Sequence, residues 1–216
     1  MILLMSRVLV TGTARRFVAP DRAVLGLAVS VVAPDAALAL DRVAERLARL
    51  TEVLDAVGVA AADRTTDAVA VGEEREWRDG TSVLLGHRAT SGVTVTVRDL
   101  DAVGRLLRAA VGDAQADIRQ LSWQVDAAHP ARTELLGEAA LDARRRATAY
   151  ATALDLRLGP VDLISERPIV AEPADGPAAP MARAMFAKAE AADVPVDAGR
   201  IELAAQVDVR FGLLPA

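Results

Sequence analysis

The chain has 216 residues, 52% of them hydrophobic and 25% charged, enough apolar content for one substantial core or two small ones. Its formal net charge of -5 argues against nucleic acid as a main partner, since that binding rests on a basic surface that neutralises phosphates. No cysteine is present, which excludes disulfides, thiolate catalysis and cysteine metal sites.

Met1 to Met5 is apolar, but the run is too short for a signal-peptide core and no basic segment precedes it. No run reaches the roughly 18 apolar residues that a spanning helix needs. The expectation is a cytoplasmic chain without a transmembrane segment. Val8 to Thr13 predicts a short strand, with Gly12 as a bulge or close-approach point. Pro20-Asp21 is a turn signal. Arg22 to Ala33 predicts a strand with Ala23, Leu25, Leu27, Val29 and Val31 on one face. After Pro34-Asp35 a helix follows, its apolar stripe made by Leu40, Val43, Leu47, Leu50, Leu54 and Val57. Gly58 fits the left-handed position just past its end.

Asp63 to Trp77 and Ser82 to Arg98 predict a long hairpin around Asp79-Gly80, with a weak apolar pattern in its first strand and a kink near Ser91-Gly92 in its second. Asp99 stands where a capping carboxylate belongs, ahead of a helix from about Leu100 to Val111. Ile118 to Val125 predicts a strand, and Pro130 the first turn of a long third helix. The buried side of that helix is read as Leu136, Ala139, Ala140, Ala143, Ala147, Tyr150, Ala151 and Leu154, a small flat face suited to close approach. Val161 to Ile169 is a further strand. A Pro- and Ala-rich flap at about 171–199 precedes Arg200 to Phe211, where Ile201, Leu203, Ala205, Val207, Val209 and Phe211 alternate with more polar residues.

Three strands, ending near Asp35, Asp99 and Asp126, each lead within a few residues into a helix. The repetition predicts an α+β fold: mostly antiparallel sheet with three helices packed on one face. A single domain over residues 1–216 is expected, with the flap inserted before the last strand.

Several segments also resemble one family. Val10-Thr-Gly-Thr followed by Pro20-Asp21 and Ala23, then Gly86-His-Arg-Ala89, Val93-Thr-Val-Thr-Val-Arg-Asp-Leu-Asp101 and Val103-Gly104, are similar to segments of the SIMPL (DUF541) family of YggE-like and Brucella periplasmic antigen-like proteins. So are Ala139-Ala-Leu-Asp-Ala-Arg144, Leu158-Gly159 and the final alternating strand. The resemblance spans nearly the whole chain. It implies a bacterial protein with no established catalytic activity, an envelope or secreted location in most members, an association with tolerance of stress, notably oxidative stress, and in some members large homo-oligomers.

No catalytic, cofactor or metal constellation emerges. His87 and His129 are the only histidines; the first reads as a strand-edge residue, the second as a loop or cap residue before a helix. Glu73, Glu74, Glu76 and Asp79 lack the spacing of a calcium loop and read as a solvated hairpin. Asp99 and Asp101 read as helix-start residues. Arg144, Arg145 and Arg146 fan out by about 100° each on a helix and do not make one patch. Phosphate loops and serine nucleophile motifs are absent.

The candidate interaction surface is Met181, Met185 and Phe186, which share a helix face, together with Trp77 near the hairpin tip. Met181, Met185 and Phe186 fit either a flap over its own core or an adaptable contact to another subunit, a partner or a membrane surface. The expectation is a non-enzymatic homo-oligomer acting as a stress-related scaffold or interaction module, needing no cofactor and binding no nucleic acid. The alternative is a small-molecule or peptide-binding protein with a pocket between sheet and helices.

Overall fold

The computed structural model describes residues 6–168, 170–173 and 196–216. Its elements in chain order are β1 (Arg7–Val18), β2 (Arg22–Ala33), α1 (Ala36–Ala56), β3 (Arg64–Arg78), β4 (Thr81–Val97), α2 (Val103–Gly112), β5 (Asp117–Gln124), α3 (Pro130–Ala153), β6 (Leu156–Glu166), β7 (Val170–Pro173) and β8 (Ile201–Pro215). All strand pairing among the described residues is antiparallel, and the fold is α+β as the patterning requires. The three expected passages from strand to helix are β2 to α1, β4 to α2 and β5 to α3. The elements group into two compact units, one holding β1, α3, β6, β7 and β8, the other β2 to β5 with α1 and α2.

In the first unit β8 is the central strand. β1 runs along one edge of it, from Arg7 opposite Gly212 to Val18 opposite Ile201; β6 and β7 share the other edge. The six alternating residues of β8 predicted to face inward are all buried. Against that face lies α3, through Ala131, Leu135, Ala139, Ala143, Ala147 and Ala151, one residue in every four. A ridge of alanines lets a helix come close, and β1 meets it with Gly12. A Cβ built at Gly12 would stand 2.0 Å from the Ala139 carbonyl oxygen and 2.5 Å from the Ala143 nitrogen. Tyr150 and Leu154, read as buried from the sequence, are exposed. They fall off the every-fourth-residue ridge, and so narrow a ridge is all that a sheet this close admits.

Polar bonds fix the same docking. Asp142 of α3 accepts the Thr13 N–H of β1 at 3.1 Å, satisfying a donor on an edge strand. Arg16 of β1 pairs with both Glu134 and Glu138, one turn apart on α3. The Thr13 N–H, ahead of Arg146 and Arg145, holds the Asp142 carboxyl below the usual carboxylate range. On β8, the Thr11 hydroxyl at 2.6 Å and then Arg167 do the same for Asp208.

In the second unit the strand order is β3-β4-β2-β5. Ala23, Leu25, Leu27, Val29, Val31 and Ala33 of β2 and Ala89, Val93, Val95 and Val97 of β4 make one buried face, packed with Val43, Leu50 and Leu54 of α1 and Val103, Leu106 and Leu107 of α2. Each leucine fully buried here contributes about 1.5–3 kcal/mol. Leu40, expected in the α1 stripe, is exposed, and Ala39 and Val53 take buried places. Asp35 caps α1 by accepting the Leu38 N–H at 2.9 Å. At the other end Gly58 takes φ 84°, and the bonds Gly58 N–H to Asp55 C=O and Val59 N–H to Leu54 C=O close the helix. Asp99 holds the position predicted for it but makes no side-chain cap. A 3-10 turn, Leu100–Ala102, precedes α2, and only the Asp99 carbonyl takes part in it.

Candidate interaction surface

β3 and β4 pair from Arg64 opposite Val95 to Arg78 opposite Thr81, whereas the pairing of β2 with β4 stops at His87. From Glu74 and Gly86 outward the hairpin is therefore a two-stranded ribbon. Asp79 and Gly80 close it, both at positive φ (50° and 77°), the turn whose twist matches the flanking strands. The register slips between Glu74 and Arg75, where Leu85 is the additional residue of β4, and again between Thr66 and Ala68, opposite Gly92. A kink is expected near Ser91-Gly92 of β4; the extra residue found there is instead Asp67 of β3, opposite Gly92.

The two-residue period puts Val69, Val71, Glu73, Arg75 and Trp77 on one face of β3. Register places Ala89 opposite Val71 and Leu84 opposite Arg75 on that same face. Ala89 belongs to the core under the helices, so this stripe continues the core-side face of the sheet outward, past its helical cover. Val69 is 58% exposed, Val71 43%, Leu84 46% and Trp77 75%. Apolar groups gathered on one face, beside an outer edge of β3 that no described strand pairs, suit protein docking better than chemistry.

The charges of the arm are paired and divided between its faces. Glu73 accepts from Arg75 Nε at 2.8 Å within the apolar stripe. On the other face Glu74 takes both Nε and Nη2 of Arg88, at 2.8 and 2.7 Å, and Glu76 takes Arg78 Nε at 2.7 Å. Arg75 holds Glu73, and Arg88 holds Glu74, below the usual carboxylate range; Glu74 in turn raises Arg88. Carboxylates already held by guanidinium groups and split over two faces do not converge on a cation. Among the described residues no three His, Asp or Glu side chains cluster as metal ligands.

The remaining sequence candidates are dispersed. Met181, Met185 and Phe186 lie outside the described residues. His129 caps α3: its Nδ1 accepts the Ala131 N–H at 3.2 Å, with Pro130 in the first turn. His87 lies opposite Glu73, with Nδ1 3.4 Å from the Pro34 carbonyl. Arg145 and Arg146 both turn to Asp142, at 3.0 and 2.8 Å. Trp123 packs partly buried against the core of the second unit. The sequence singles out Trp77 but not Val69, Val71 and Leu84, which share its face and are exposed with it. In the first unit, an open apolar groove of about 430 Å³ lies between α3 and the sheet, lined by Leu141, Val161, Ile164 and Phe211 among others.

Residues 8–211 match the family described as SIMPL, protein of unknown function (DUF541), a span that begins in β1 and ends in β8. The chain belongs to the SIMPL family. It is similar to the uncharacterized protein YggE of Escherichia coli (strain K12), 33% identical over 213 residues that span 96% of this chain and 83% of that protein. The YggE protein of Shigella flexneri gives the same figures. That of Edwardsiella ictaluri (strain 93-146) is 32% identical over 155 residues, 71% of this chain and 65% of that protein. Neither the SIMPL description nor these names states an activity. Both units of this SIMPL chain contribute to the matched span, the β3–β4 arm included. No helix among the described residues is long and apolar enough to cross a membrane.

Proposed function

We propose that the protein is a non-enzymatic homo-oligomer, a scaffold or interaction module in which the β3–β4 arm docks onto a second copy of the chain. The observation that carries this reading is the stripe of Val69, Val71, Trp77 and Leu84, exposed on the core-side face of the sheet beside the open edge of β3. An exposed strand edge with an apolar face beside it is a template for pairing, and burying both in a symmetric contact removes both liabilities. A link to stress tolerance, oxidative stress above all, rests on the family resemblance. Light scattering on the purified protein tests the assembly: a mass above that of the monomer is expected at about micromolar concentration. Trp77→Ser is expected to lower that mass, and a monomeric wild type overturns the reading. Deletion of the gene in its native host tests the stress role, with unchanged survival of peroxide counting against it.

A second reading, binding of a small molecule or peptide, is favoured by the apolar groove between α3 and the sheet. It predicts that an apolar fluorescent probe binds the folded protein and that Leu141→Asp abolishes the signal.

A further inference from the structure

A second concavity, of about 510 Å³, lies in the second unit where β2 loses one of its neighbours. Pairing of β5 with β2 ends at Ala28, while β2 continues to Ala33. Beyond that point the edge of β2 is open among the described strands, and α1 lays Arg42, Arg46 and Arg49 along it, spaced four and three residues apart on one side of the helix.

These arginines are not equivalent. Arg46 donates to the Ser30 carbonyl at 3.0 Å, which anchors it on the open edge. Arg88 reaches the groove from β4, positioned by its two bonds to Glu74 and by a 3.2 Å contact to Ser30 Oγ. Arg42 and Arg49 are exposed and form no ion pair among the described residues. Gln115, held at φ 52° in the turn before β5, supplies an amide to the same wall. A residue other than glycine in that backbone region is uncommon enough to mark a position worth explaining.

The charges can be counted. Glu74 balances Arg88. Among the described residues Glu45 is the one carboxylate in the lining, against the three guanidinium groups of α1, which leaves two positive charges on that wall; Asp117, which also acts on Arg88, is paired with Arg119. This stands out in a chain whose net charge is -5. A phosphate group carries about -1.5 to -2 at neutral pH and presents the oxygens that guanidinium forks bind in pairs. Among the described residues no aromatic side chain lines the groove, so none of them would stack a base.

We infer that this groove binds a small phosphate-bearing molecule of polar character, such as a sugar phosphate. Arg46 and Arg88 form a fixed floor, and Arg42 and Arg49 close on the phosphate.

Titration calorimetry in a low-salt, phosphate-free buffer tests it with inorganic phosphate, pyrophosphate, glucose 6-phosphate and glucose. The phosphate-bearing probes are expected to bind and glucose is not. Tighter binding of glucose 6-phosphate than of inorganic phosphate assigns the site to the ester, and the reverse order assigns it to the free anion. Arg42→Gln with Arg49→Gln is expected to weaken binding at least about tenfold, since each guanidinium group removed takes a charge-assisted bond to the phosphate with it. Both positions are exposed, so the variant is expected to fold, which circular dichroism verifies. Arg78→Gln, on the arm, is expected to bind as the wild type does. Raising salt from about 50 to about 200 mM is expected to weaken binding. Absence of binding by every phosphate probe at about 10 mM overturns the inference. So does a double variant that binds as the wild type does.

Discussion

Gly12→Ala tests the closest contact in the first unit. The added Cβ would stand 2.0 Å from the Ala139 carbonyl oxygen, 2.5 Å from the Ala143 nitrogen and 2.8 Å from the Ala143 Cβ. None of these is the end of a flexible side chain, so no rotamer change relieves the overlap. Restoring an ordinary contact near 3.4 Å requires β1 and α3 to part by about 1.4 Å. Overpacking of this kind costs about 1–3 kcal/mol where side chains can adjust. With main chain on the receiving side the upper end applies, about 3 kcal/mol. For a chain of this length, each kcal/mol lowers Tm by about 2–4 °C, so the expected drop is about 6–12 °C. The intrinsic effect of replacing glycine by alanine runs the other way, a gain of about 0.4–1 kcal/mol where the backbone allows it. The sign of the change therefore decides. Gly137→Ala, in α3 with nothing within 4 Å of its added Cβ, isolates that intrinsic gain and is expected to raise Tm. Calorimetric melts of the two variants make the comparison. A Gly12→Ala protein as stable as the wild type would falsify the close approach of β1 to α3.

Acid is expected to destabilise the first unit through Asp142 and Asp208, whose folded-state pKa values are depressed. Such groups add stability that is complete above the unfolded carboxylate value, about 3.9, and is lost as pH falls through the folded value. Melts are therefore expected to hold steady from pH 7 to about 5 and to fall below about pH 4. Asp208→Asn is expected to be less stable than the wild type at pH 7 and to converge with it in strong acid; a gap that ignores pH refutes the assignment. Asp35→Ala is expected to cost about 1 kcal/mol in urea denaturation, and Asp99→Ala less than about 0.5, because only Asp35 makes a side-chain cap. Trp77→Ser is expected to leave stability within about 0.5 kcal/mol while lowering the mass seen by light scattering, and a large loss of Tm assigns Trp77 to packing instead.

Period two was a reliable guide wherever one face of a strand is buried. β8 shows it residue for residue and β2 at every position but the buried Ala28, since every inward position is in the core and a one-residue slip would expose them all. The helices were legible in existence but not in detail. In α3 the apolar positions follow two overlapping registers, and the sequence does not say which one a neighbouring strand will accept. Gly12 settles it: a strand without a side chain at that point selects the alanine ridge, and Tyr150 and Leu154 are left outside. Asp99 shows the same limit on a smaller scale. An acidic residue before a helix can cap by its side chain or merely begin a turn, and the choice depends on backbone angles set by the elements on either side.

The arm shows how a weak pattern can itself carry information. Alternation in a strand arises because one face meets a core and the other meets water. Past His87 the hairpin has lost β2 as a neighbour, and along β3 both faces are largely open. Ala68, Ala70 and Val71 lie inward of that point but on the edge strand, exposed on both faces, which explains why they made a poor apolar face in the sequence. Among the described residues, nothing buries the apolar side chains that remain on such a strand. The proposed contact with a second copy would give Val69, Val71, Trp77 and Leu84 a face to meet. The arginine groove was hidden for a different reason. Arg42, Arg46 and Arg49 look like the solvated side of an amphipathic helix, and only the early end of β5 at Asp117, which leaves the edge of β2 open beneath them, turns that side into the wall of a site.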